Sequence, residues 1–196
     1  MPRTLHYFPI VHSSADLGGL GASVERAKAA AIGRRGALRQ AARIDQFWRE
    51  VETASGRVPV AAGKTRLYQD GLPVCDHVER IVKDLARAGS ANHRILLQLE
   101  ARGAVLMGTE APDLLREEYG LAKAGLGAKS GLEADRLLGR RDRFIAARIN
   151  ATLEPDEAGM IFLGALHAIA PYLDSDIQVI YPLYRPMGGD TSERRG

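Results

Sequence analysis

Apolar residues recur along this chain in two alternating patterns. Five short runs rich in aromatic and β-branched residues read as strands, at 5–11, 65–69, 104–107, 160–163 and 177–181. Between them the apolar positions take helical spacing. Ile44, Phe47, Trp48 and Val51 fall at i, i+3, i+4 and i+7 and mark the buried face of an alanine- and arginine-rich stretch, 23–52. Gly33 and Gly36 are expected to break or kink that helix. Further helices are predicted over 74–88, ended by Gly89, and from the Ser90 cap to Gly103. Pro112 suits the first turn of a helix over 112–119, and 132–153 is the longest clear one. The glycine- and lysine-rich stretch 120–131 is expected to be a mobile loop, and the tail 187–196 to be disordered.

Strands that alternate with helices predict an α/β fold. About five mainly parallel strands would carry helices on both faces, in a single domain over 1–186. In such sheets ligands bind where the carboxyl ends of the strands meet loops and helix N-termini.

Composition narrows the function classes. Charged residues make up 26% of the chain and the formal net charge is +3, which fits a folded globular protein. Basic residues cluster at Arg34, Arg35, Arg39 and Arg43, and again at Arg136, Arg140, Arg141 and Arg143. No aromatic platform or nucleic-acid-reading module accompanies them, so both clusters read as solvated helix faces and no nucleic-acid partner is expected. Cys75 is the only cysteine, which excludes an intramolecular disulfide and suits a reducing compartment. No apolar run reaches the ~20 residues of a membrane span, and no leader pattern is seen. These features together predict a cytoplasmic protein without a membrane partner.

The polar residues that follow the predicted strands carry the candidate chemistry. His12, Asp70 and Glu110 follow the first three, and His167 follows the fourth. Two imidazoles and two carboxylates at equivalent strand ends could hold a divalent cation with a position open for water. Each has a plainer reading. Asp70-Gly71 is a turn dipeptide, and Glu110 could be a first-turn acid beside Pro112. Arg141 could clamp an anionic substrate group or form a surface ion pair. The Gly63-Lys64-Thr65 and Gly18–Gly21 stretches lack the spacing of phosphate-binding loops, although Gly18–Gly21 keeps a nucleotide-binding reading open. Cys75 and His77 lie two apart on a helix, so the imidazole is a poor base for the thiol.

Gly164-Ala165-Leu166-His167 after an apolar strand, with Arg141-Asp142 opening a helix shortly before it, resembles the TraB/PrgY/TIKI group. That group lies within the wider set related to erythromycin esterase and the ChaN haem-binding proteins. Pro9-Ile10-Val11-His12 sits where the group has its first Gly-x-x-His. Pro9 replaces the glycine there, and Asp142 replaces an asparagine. The resemblance implies an α/β fold and divalent-metal-dependent hydrolysis, with peptides among the substrates.

The expectation is therefore a hydrolase of peptide or ester bonds that uses manganese or zinc. His12, His167 and Asp70 would be the metal ligands, and Glu110 and Arg141 would serve catalysis on a small-molecule or peptide substrate. The alternative is a non-enzymatic small-ligand-binding or regulatory protein on the same fold. Because His167 follows its strand, its truncation is expected to cost little packing.

Overall fold

The computed structural model describes residues 2–13, 15–16, 21–124 and 130–183. Five strands form one all-parallel sheet: β1 (Arg3–Ile10), β2 (Thr65–Gln69), β3 (Val105–Leu106), β4 (Ala158–Gly164) and β5 (Ile177–Ile180). Their order across the sheet is β3-β2-β4-β1-β5. Five helices connect them among the described residues: α1 (Gly21–Arg57), α2 (Val78–Arg87), α3 (Ala91–Ala101), α4 (Pro112–Ala124) and α5 (Ser130–Thr152). None of these is long and apolar enough to cross a membrane. The fold class is the α/β one that the sequence predicts.

Alternation along the strands divides the core in two. Phe8, Ile10, Leu67, Met160 and Phe162 face one way and pack with Trp48 and Val51 of α1, Val82 of α2, and Ile95, Leu96 and Leu99 of α3. Leu5, Tyr7, Tyr68, Ile161 and Leu163 face the other way, against Ile145, Ala146 and Ile149 of α5 and Leu153 just after it. Burial of both faces explains why these strands read as continuous apolar runs. Phe162 is fully buried, and its ring stacks on Phe8 at 4.8 Å. Phe162→Ala should cost about 3–5 kcal/mol in urea melts, because the cavity lies at the centre of the sheet and cannot collapse.

Element boundaries depart from the sequence pattern where long-range bonds intervene. The helix expected from residue 74 starts at Val78 instead. Val74 donates its N–H to the Glu110 carbonyl at 2.8 Å, and Pro73 bridges Glu110, which draws this segment alongside the chain that leaves β3. α1 runs on to Arg57, and only Gly33, at φ 69°, leaves helical geometry, while Gly36 stays within the helix. α4 continues through Gly120 to Ala124, where a loop is expected. The 187–196 tail, residues 125–129 of the expected loop and most of the Gly18–Gly21 stretch lie outside the described residues.

Candidate functional site

The strand register places the candidate residues. β4 is the central strand, with β2 on one side and β1 on the other; Gln69 lies beside Phe162 and Ile10 beside Gly164. The next residues on the two flanking chains, Asp70 and then His12 past Val11, therefore emerge on either side of Gly164. Asp70 Oδ2 accepts the Gly164 N–H at 2.8 Å. His12 Nε2 approaches the same oxygen at 3.1 Å, and His167 Nε2 approaches it at 3.4 Å. Two segments far apart in sequence thus converge on one carboxylate oxygen of a third.

α5 covers the other side of this carboxylate. Arg141 Nη2 donates to Asp70 Oδ1 at 2.7 Å and to Glu110 Oε1 at 2.7 Å, and its Nε reaches Glu110 Oε2 at 2.6 Å. Its remaining nitrogen, Nη1, donates to Glu118 of α4. Glu110 also accepts the Gly71 N–H at 2.6 Å, which ties the Asp-Gly turn to the β3–α4 connection. The neighbouring helix residue, Asp142, meets His167 Nδ1 at 2.5 Å and the Ala168 N–H at 3.0 Å. The structure joins His12, Asp70, Glu110, Arg141 and His167 into a single network. Asp142 and Glu118, which residue patterns alone did not single out as site residues, complete it. Arg141 and Asp142 lie four residues before the apolar, buried Ile145 and Ala146 on the same helix, and that was the available signal.

Electrostatics assign the protons. Burial by itself would push Asp70 up, but hydrogen bonds from the two imidazoles hold it well below the usual carboxylate range. An ionised carboxylate only accepts, so both Nε2 atoms carry protons. Burial disfavours charge on His167, yet the hydrogen bonds to Asp142 and Asp70 outweigh it and raise the ring to about 9. His167 is thus an imidazolium held between two carboxylates. His12 is likewise raised, its desolvation outweighed by Asp70. Glu110 is pushed up by burial and by the Asp70 charge, against the pull of Arg141.

This proton pattern bears on metal binding. A histidine ligand must offer a lone pair, and in this arrangement His167 directs both ring nitrogens at carboxylates. Among the described residues no group of three or more His, Cys, Asp or Glu side chains is placed to hold a metal ion. His12, His167 and Asp70, expected as ligands, partner one another in this structure.

Burial also changes two expectations for single residues. His167 is 3% exposed and ion-paired, so its truncation would strand Asp142 rather than merely remove an end-of-strand side chain. Arg141 is 4% exposed, and its donors are already met by three carboxylates. His12 is the open member, with 35% of its side chain accessible. Cys75 is exposed and stands outside the network.

Gly164 makes the convergence possible. A Cβ there would lie 2.9 Å from Asp70 Oδ2 and 3.3 Å from His12 Nε2. Gly164→Ala should therefore force these groups apart and destabilise the protein by about 1–3 kcal/mol, read by urea melts. A melt unchanged from the parent would mean that Asp70 and His12 can yield without cost.

Searches of family models, curated proteins and solved structures return no match to this chain.

Proposed function

We propose that the protein is a hydrolase of peptide or ester bonds in which His12 activates water. The observation that carries this reading is the partly open imidazole of His12, anchored through Nε2 to a buried, ionised Asp70. With the Nε2 proton directed at Asp70, Nδ1 is the ring atom left to accept a proton. A base oriented by a buried carboxylate is the arrangement general-base catalysis requires. The Ser13 hydroxyl next to it donates to Asp16 Oδ2 at 2.7 Å, so water rather than that serine is the nucleophile. Water would give its proton to His12 Nδ1 while its oxygen bonds to the carbonyl carbon. The same proton would then pass to the departing oxygen or nitrogen as the scissile bond breaks. Arg141 and Glu110 would act from behind, holding Asp70 in place, rather than meeting substrate.

The test is turnover of aryl esters and fluorogenic peptide amides in the presence of chelator, repeated with added manganese or zinc. Turnover should persist in chelator and rise from pH 6 to pH 9 as His12 loses its proton. His12→Ala should lower the rate by at least about a hundredfold, the usual contribution of a positioned base. Turnover that appears only with added metal would replace this mechanism with the divalent-metal one that the resemblance implies. No turnover of either substrate class would leave a ligand-binding or regulatory protein and end the hydrolase reading.

A further inference from the structure

The two basic clusters of the sequence have different fates in the fold. In the second, Arg136 is exposed, but Arg140 pairs with Glu117 at 2.8 Å, Arg141 is buried among carboxylates, and Arg143 lies over the Tyr172 ring. In the first, Arg34, Arg35, Arg39 and Arg43 are all exposed, as is Arg26 before them, and none has an ion-pair partner among the described residues. The segregation is visible in the sequence as well. Residues 26–44 hold six Arg or Lys and no acid, so all 24 acidic residues face the other 21 of the 27 basic ones. The modest net charge therefore conceals one strongly basic segment.

We propose that this segment of α1 docks on the phosphate backbone of a nucleic-acid duplex. Arg35, Arg39 and Arg43 repeat every four residues on the continuous helix after Gly33, so they form one stripe about 12 Å long. Like charges at that spacing weaken a helix unless something neutralises them, and no described residue of this chain does. A polyanion supplies the missing charge. The segment has no aromatic residue between Gly21 and Gln46, so it lacks the stacking platforms that single strands require. Among its described residues the exposed large apolar side chains are Ile32 and Leu38, too few for insertion into a lipid surface. What remains is recognition of a regular phosphate array without base reading.

The experiment uses the full chain and fluorescence anisotropy with a labelled DNA duplex of about 20 base pairs and the matching RNA duplex. Binding at about 50 mM salt should weaken about fortyfold by about 200 mM if the three arginines of the stripe each contact a DNA phosphate. The RNA arm decides which duplex is preferred. Arg35→Ala with Arg39→Ala should reduce the salt slope by about two, whereas the same pair changed to lysine should keep it. These side chains are exposed and have no ion-pair partner among the described residues, so circular dichroism melts of both variants should match the parent. Absence of duplex binding at low salt, or a slope indifferent to the alanine pair, overturns the proposal. So does equal or tighter binding to polyglutamate or to phosphatidylserine vesicles, which would assign the stripe to an acidic protein or a membrane.

Discussion

Replacing Arg141 with methionine is expected to destabilise the protein by about 3–5 kcal/mol, the cost of leaving buried charges without their partner. Methionine keeps much of the volume, so the effect isolates charge from packing. Without the guanidinium, Asp70 and Glu110, at 8% and 1% exposure, face each other with no cation between them on the α5 side. Glu118 is half-exposed and can turn to solvent, so it should contribute little to the loss. Urea melts near neutral pH measure the effect. Adding Glu110→Gln to Arg141→Met should recover part of it, because one stranded charge is then removed. A single variant as stable as the parent would mean that the carboxylates take up protons at no cost, and the electrostatic account of this network would be wrong.

The second large effect is a loss of stability on the alkaline side. The His167 imidazolium titrates at about 9 in the folded protein against the ordinary 6.5. Below about pH 6.5 the ring is charged in both folded and unfolded chains, and its full stabilisation is present. As pH rises the unfolded ring loses its proton first, and the contribution is gone once the pH passes about 9. A difference of that size corresponds to about 3 kcal/mol. Desolvation does not cancel it, because hydrogen bonds to Asp142 and Asp70 outweigh the burial. The depressed pKa of Asp70 is partly the same interaction seen from its partner, so the two effects are not added. Urea melts at pH 6, 7.5 and 9 should show the decline, and His167→Gln should flatten it. If the decline survives that substitution, another group is responsible and His167 is not the shared imidazolium described here.

How much of this was legible beforehand can be argued from particular residues. β2 occupies 65–69, the bounds its short aromatic and β-branched run predicts. The Ser90 cap forms as the pattern suggests, its Oγ accepting the His93 N–H at 3.2 Å. The rule that ligands gather at the carboxyl ends of parallel strands was enough to nominate His12, Asp70 and His167, which meet at one oxygen. Arg141 was singled out too, but its environment was not legible. An arginine on a helix looks the same whether it faces solvent or three carboxylates 23, 31 and 71 residues away.

The sequence by itself determined the local matters: which segments are strands or helices, which positions are core, and which polar residues end the strands. These follow from side-chain spacing against backbone periods of 2.0 and 3.6, a property of neighbours along the chain. Only the tertiary structure decided that β4 lies between β2 and β1, which puts Asp70 and His12 on either side of Gly164. It also decided that Asp142 faces His167 and so holds a second proton on that ring. It left the arginines at 34, 35, 39 and 43 unpaired among the described residues while those at 140 and 141 found carboxylates. Charge and proton placement depend on distance and burial in three dimensions. Residues 58 and 94 positions apart in the chain meet Asp70 at 2.8–3.1 Å, and no periodicity encodes that.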